Sequence, residues 1–370
     1  MPQIHKLTMP KWGLSMQEGK VNAWLKQIGD TVAPGDEIVE VESEKIAGAV
    51  EATAAGVLRR QVAAADDVLP VGALLGIVAD AEVPEAEIDA AVAEFAAGFT
   101  PGRDEQEDAG PRPEKVEVAG RRLRYLRRGE GGEPLILIHG FGGDLNNWLF
   151  NHEALATDRA VYAIDLPGHG ESSKDVGDGS LDELAAAVTG FMDAVGIPSA
   201  HLAGHSLGGA VSLAVAQRAP ERVRSLTLIA SAGLGEEING AYIDGFVAAA
   251  DRRTLKPVLS QLFSDTGLVT RQLVDDMLKY KRLEGVDAAL RTLAGRLFRD
   301  GRQANVLRQT VVASGRPVLV IWGDHDHVIP VAHAQGVAGQ ARVEVLAGRG
   351  HMVQMEAAGE VNRLVGRFLG

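Results

Sequence analysis

The sequence predicts a multidomain protein: an all-β flattened sandwich over residues 1–80, then an α/β domain over 114–370 with an inserted helical cap. Three observations predict it. Short apolar runs broken by turn residues, with an internal repeat, fill the first 80 residues; apolar strands alternate with amphipathic stretches from residue 114; and an acidic stretch containing Pro and Gly separates the two. A length of 370 residues accommodates two or three domains.

Composition narrows the function classes. With 46% hydrophobic and 24% charged residues the chain is neither disordered nor built for a bilayer, and no apolar run reaches the ~20 residues of a membrane span. No signal-peptide core follows the N-terminus, so the expected location is the cytoplasm. Cysteine is absent, which excludes disulfides, a thiolate nucleophile and Cys-based metal sites; sulfur chemistry would need sulfur brought in. The net charge is −13, and residues 81–112 hold 2 basic against 9 acidic side chains, over half the excess in about a tenth of the chain. Such a block reads as a self-repelling connector and argues against nucleic-acid binding.

In the first segment, runs such as Ile38-Val39-Glu40-Val41-Glu42 lie between the turn signals Gly29-Asp30, Pro34-Gly35-Asp36 and Gly56. Asp30-Thr31-Val32-Ala33-Pro34-Gly35 recurs, with one inserted residue, as Asp66-Asp67-Val68-Leu69-Pro70-Val71-Gly72, an offset of 36 residues. Two copies of a four-strand unit predict a sandwich with pseudo-twofold symmetry. Residues 84–99 switch to helical period, with Ile88, Ala91, Val92, Phe95 and Phe99 on one face, which is expected to dock a partner protein or to pack on its own chain. Residues 100–113 offer nothing to bury and read as a linker spanning roughly 20 Å as flexible coil. From residue 114 the strand-like runs 134–138, 160–164, 223–229 and 317–321 predict a largely parallel sheet, interrupted over 236–305 by purely helical periodicity, the cap.

Lys45 stands between two strand-like runs in Val41-Glu42-Ser43-Glu44-Lys45-Ile46-Ala47, with Gly29 16 residues before it and Gly56 11 after. A lone lysine there would be a solvated hairpin residue. With this framework, residues 3–79 resemble the lipoyl domains of 2-oxo acid dehydrogenase complexes, and the resemblance implies that Lys45 is the lipoylated residue. Biotinyl domains share that fold, but their acceptor lysine is usually flanked by Met, where this chain has Glu44 and Ile46.

The second domain carries a candidate nucleophile. Gly204-His205-Ser206-Leu207-Gly208 follows an apolar run and opens an apolar helical stretch, the strand–turn–helix context in which G-x-S-x-G lifts a strained serine clear of a sheet. His139-Gly140-Phe141-Gly142-Gly143 follows an earlier strand; backbone N–H groups of Phe141 and Leu207 are the expected oxyanion donors. Asp165–Gly170 reads as a structural turn. Downstream come Trp322-Gly323-Asp324-His325-Asp326-His327 and then Gly348-Arg349-Gly350-His351, the order nucleophile, acid, histidine. Residues 114–370 resemble the α/β-hydrolases, and the family's spacing selects Asp326 over its rival Asp324 as the acid and His351 as the base. A metal site at Asp324, His325, Asp326, His327 and His333 is disfavoured, because neighbouring residues at a strand end face opposite ways.

A lipoyl domain joined to an α/β-hydrolase resembles the acyltransferase components of acetoin dehydrogenase complexes. The resemblance implies transfer of an acetyl group from a lipoyl-Lys45 thioester to coenzyme A. It implies as partners a thiamine-diphosphate-dependent acetoin dehydrogenase, dihydrolipoamide dehydrogenase and a lipoate ligase or lipoyl transferase, with self-association into a homo-oligomer. The His-x-x-x-Asp-Gly motif of the common trimeric acyltransferase cores is absent. Two alternatives remain at this level: a lipoylated hydrolase releasing free acid, and a carrier or scaffold without catalysis.

Overall fold

The structure, a computed structural model, describes residues 4–10, 16–43, 47–99 and 111–370. Lys45 and residues 100–110 of the expected linker lie outside the described residues. The chain divides into two compact units, residues 1–110 and 111–370.

The first unit contains β1 (Ile4–Thr8), β2 (Glu18–Trp24), β3 (Thr31–Val32), β4 (Glu37–Glu42), β5 (Ala47–Glu51), β6 (Gly56–Gln61), β7 (Val68–Pro70) and β8 (Leu74–Ala79). They form two four-stranded sheets, β1-β8-β6-β3 and β5-β4-β2-β7. Advancing every strand by four places, cyclically, converts one order into the other, which is the pseudo-twofold the repeat predicts. The repeat offset is 37 rather than 36: the Asp30 carboxylate accepts from Gln27 N at 2.7 Å and Asp67 from Ala64 N at 2.7 Å. Asp66 (φ 70°) takes the left-handed position of Gly29 (φ 100°). Asp tolerates that region, which is why the doubled Asp misaligned the two copies by one residue.

The helix Glu85–Gly98 covers this unit. Its buried Ile88 packs with Leu74, Ile77, Ala79 and Val83, while Val92 and Phe95 pack partly against the same cluster. Glu85 pairs with Arg59 and Arg60, Asp89 pairs with Arg60, and Lys6 lies over the Phe95 ring. This second covering layer explains why every residue of β8 is buried instead of every other one. On that face only Ile88 is buried, and Ala91, Val92, Phe95 and Phe99 are half-buried, so the helix packs in part on its own unit.

The second unit opens with the antiparallel pair β9 (Glu114–Val118) and β10 (Arg121–Arg128). There follow β11 (Leu135–Ile138), β12 (Val161–Ile164), β13 (Ala200–His205), β14 (Val223–Ile229), a small hairpin of β15 (Phe298–Arg299) and β16 (Arg302–Gln303), then β17 (Val318–Gly323) and β18 (Arg342–Leu346). The main sheet runs β18-β17-β14-β13-β11-β12-β10-β9, and β18 through β12 pair in parallel. Strands β11 to β14 and β17 are buried nearly throughout, as a parallel sheet covered on both faces requires.

The cap comprises the helices Gly240–Ala248, Arg252–Leu259, Arg271–Lys281 and Val286–Leu297. Side chains of Asn239, Asp251 and Thr270 accept backbone N–H bonds at the first three N-termini. Helical periodicity is not all this stretch contains: β15 and β16 turn through Asp300 (φ 51°) and Gly301 (φ 70°), the Asp-Gly pair favoured in two-residue hairpins. Among the described residues no helix is long and apolar enough to cross a membrane.

Candidate active site

Strand β11 pairs with β12 on one side and β13 on the other, so successive connections leave it in opposite directions. At such a switch point the crevice beyond the strands' carboxyl ends is open to a ligand. Residues 140–143 of the turn after β11, and Ser206 after β13, both line a cavity of about 50 Å³ there. One water needs ~10–15 Å³, so the cavity holds a few heavy atoms. The cap supplies much of its wall, including Tyr242, Phe246, Leu262 and Phe298.

Ser206 has φ 51° and ψ −117°, a costly backbone for a residue with a Cβ. Its surroundings over-determine it: Ser206 N donates to Ile229 O at 3.0 Å, and its carbonyl accepts from Gly209 N and Ala232 N, each at 2.9 Å. The two motif glycines have no alternative. A Cβ on Gly204 would lie 2.2 Å from Gly208 O, and one on Gly208 would lie 2.1 Å from Ile138 O. Leu207 begins the helix Leu207–Arg218, so its N–H has no intrahelical acceptor, and Phe141 sits in the opposing turn at the cavity wall.

His351 and Ser206 line the same cavity. His351 Nδ1–H donates to Asp326 Oδ2 at 2.8 Å, and Asp326 Oδ1 accepts from Val328 N at 2.8 Å and Ile329 N at 2.9 Å. The Asp326 carboxylate is fully buried and its partner ring nearly so. Asp324 is elsewhere: it is exposed, accepts from Gly348 N at 2.6 Å and lies 4.0 Å from His325. No metal-binding group of side chains occurs among the described residues.

Three further histidines surround this site. His139 Nδ1–H donates to Gly140 O at 2.8 Å, and its Nε2 accepts from Leu166 N at 3.0 Å, so the ring is neutral. His169 lies beside it, tilted by 60° with ring centroids 5.0 Å apart, and burial pushes both pKa values down. Asp165, in the same layer, accepts from Leu145 N at 2.7 Å and Glu171 N at 2.9 Å. The turn at 165–170 is thus structural, as its sequence suggests. His205, the variable position of the serine motif, is a residue that motif reading passes over. Its Nε2–H donates to His351 O at 3.0 Å, and its ring lies 4.8 Å from the His351 ring. Burial drives its pKa well below the ordinary value, which keeps it uncharged beside the His351 ring.

This arrangement can activate a hydroxyl: a carboxylate orients an imidazole that shares a cavity with a strained serine, beside two candidate N–H donors. Comparison with known proteins identifies the family. Residues 133–358 match the model of the alpha/beta hydrolase fold, and residues 5–78 match that of the biotin-requiring enzymes. The chain is 58% identical over its whole length, and 99% of the relative's, to the dihydrolipoyllysine-residue acetyltransferase component of the acetoin cleaving system of Pseudomonas putida. It is 50% identical to the protein of the same name from Cupriavidus necator, over 100% of this chain and 98% of that one. Among solved structures, a meta-cleavage product hydrolase from Pseudomonas fluorescens IP01 superposes with a TM-score of 0.63 at 27% identity, covering 69% of this chain and 96% of that one. The chain belongs to the family of dihydrolipoyllysine-residue acetyltransferase components of acetoin cleaving systems, with a lipoyl-type domain joined to an α/β-hydrolase-fold domain.

Proposed function

We propose that the protein transfers an acetyl group from a lipoyl-lysine thioester to coenzyme A through Ser206, as a component of an acetoin-cleaving complex. The observation that carries this reading is the pairing, in one chain, of full-length similarity to such components with a Ser206–His351–Asp326 constellation around one small cavity.

Lys45 is the residue proposed to carry lipoate. Glu42 of β4 pairs with Ala47 of β5, so residues 43–46 connect two antiparallel strands. Lys45 falls in that connection by its place in the sequence, and it is there that the amide-linked arm is proposed. When bound, lipoate supplies the thiol that this cysteine-free chain lacks.

The protein's own residues act in two half-reactions. His351 takes the proton from Ser206 Oγ as the oxygen attacks the acetyl thioester carbonyl, Asp326 holds the Nδ1–H tautomer and stabilises the imidazolium, and the N–H groups of Phe141 and Leu207 stabilise the oxyanion. The proton passes to the departing thiolate. In the return half, His351 deprotonates the coenzyme A thiol as it attacks the acetyl-serine carbonyl, and then returns the proton to Ser206 Oγ as the ester bond breaks, which releases acetyl-coenzyme A and regenerates the free serine. Thioester becomes ester and then thioester, so transfer is close to balanced, whereas water would draw the ester downhill. The apolar cap wall limits water at the ester. The proposed domain division is 1–80 as carrier, 81–113 as an amphipathic helix followed by an acidic linker, and 114–370 as transferase. A thiamine-dependent acetoin dehydrogenase, dihydrolipoamide dehydrogenase, a lipoate-attaching enzyme and other copies of this chain are the proposed partners.

The test follows acetyl-dihydrolipoamide and coenzyme A, with acetate measured in parallel, for wild type and Ser206→Ala. Acetyl-coenzyme A formed by the wild type and lost in Ser206→Ala is expected. Acetate without acetyl-coenzyme A would make the protein a hydrolase, and activity surviving Ser206→Ala would remove the acyl-serine step.

A further inference from the structure

His351 reaches the cavity on a turn that touches the cap, and the contact leaves no slack. A Cβ on Gly350 would fall 2.7 Å from Ser264 N and 2.9 Å from Leu262 O. The peptide joining His351 to Met352 is held at both ends: its carbonyl accepts from His205 Nε2, and its N–H donates to Leu262 O of the cap at 3.0 Å.

A single carboxylate joins the same two segments. Glu356 Oε2 accepts from Gly350 N at 2.5 Å, while Oε1 accepts from Ser264 N at 2.7 Å and Asp265 N at 3.3 Å. Its own place is set by Glu356 N donating to Met352 O at 3.0 Å. An ionised carboxylate only accepts, so it suits three converging N–H groups, and charge-assisted bonds of this kind are about twice as strong as neutral ones.

We propose that Glu356 is a positioning residue for acyl transfer, fastening the His351 turn to cap segment 262–265 so that ordering the cap also orders the catalytic base. The proposal rests on Ser206 and His351 acting as described above. Glu356 touches no reacting atom; it acts through the Gly350 peptide, one residue from His351. Losing one of its two acceptor oxygens frees either the turn or the cap segment.

The full-length chain carrying Glu356→Gln tests this, since the amide must present an NH2 to one of the backbone N–H groups. Acylation of Ser206 by p-nitrophenyl acetate is read as the burst rate constant and the ester concentration that half-saturates it. The far-downfield proton resonance of His351 Nδ1–H is read by NMR. Expected are a burst at least tenfold slower, half-saturation within twofold of wild type, and a downfield resonance broadened or lost while the far-ultraviolet circular dichroism is unchanged. Glu356→Asp keeps the charge but is one methylene shorter, and the same pattern is expected from it, which guards against a Gln variant that does not fold. A burst within twofold of wild type in the folded variants, or a slow burst with the downfield resonance intact, overturns the proposal. Ser206→Ala in the same assay separates the two claims: a burst that survives it defeats the acyl-serine mechanism, whatever Glu356 does.

Discussion

Asp326→Asn isolates what the buried acid does, because the structure dictates how the amide would sit. Asp326 Oδ1 accepts two backbone N–H bonds, from Val328 and Ile329. Placing the amide nitrogen there would set donors against donors and leave two buried N–H groups unpaired, at ~1–3 kcal/mol each. The oxygen therefore stays, and Nδ2–H faces His351 Nδ1 in place of the Oδ2 that now accepts at 2.8 Å. His351 must then accept at Nδ1, which places its proton on Nε2, the nitrogen proposed to take the proton of Ser206. The loss expected in acetyl transfer is about 10³–10⁴-fold, roughly 4–5 kcal/mol, with the retained backbone bonds keeping the loop folded. Asp324→Asn keeps the oxygen that accepts from Gly348 N, and its activity is expected within about threefold of wild type. The assay is single-turnover transfer from acetyl-dihydrolipoamide to coenzyme A. An Asp326→Asn enzyme within tenfold of wild type, or an equally damaging Asp324→Asn, would refute this reasoning.

Other predictions address separate parts of the molecule. Lys45→Arg should abolish acetyl-coenzyme A formation in the reconstituted complex while leaving the p-nitrophenyl acetate burst intact; mass spectrometry of the intact chain would show whether lipoate was ever attached. Gly208→Ala puts a methyl 2.1 Å from the Ile138 carbonyl, so the burst should vanish or the protein unfold, and a variant with wild-type Tm and burst would contradict the close packing described. His152 donates from Nε2 to Val161 O, and burial pushes its pKa down from 6.5 to about 4. The unfolded chain therefore binds more protons between those values. The stability His152 contributes is complete above pH 6.5 and falls away as the pH drops toward 4, by up to about 3 kcal/mol. Urea unfolding at pH 7.5 and pH 5 should show a smaller pH-dependent loss for His152→Gln than for wild type; equal losses would exclude His152 as a contributor.

The linear sequence carried whatever depends on neighbours in the chain. Alternating and continuous apolar runs mark the strands of both units, and Gly204 and Gly208 mark a turn that tolerates no side chain. Local spacing also places Ser206, Asp326 and His351 in a recognisable order, and the doubled turn motif announces a paired sandwich. Only the tertiary structure decided matters that depend on what lies across space. The apolar stripe of the helix 85–98 is visible in its periodicity, but periodicity does not say which surface covers it; here Leu74, Ile77 and Val83 of the same unit do so in part. Family spacing favours Asp326 over its chemically identical neighbour Asp324, but the contact that separates them, Asp326 with His351 and Asp324 with Gly348 N, exists only in the folded chain. Glu356 has no motif at all: its partners include Ser264, 92 residues away. A hydrogen bond between distant segments leaves no periodic trace in the sequence, because it constrains one side chain at one point and not a repeating face.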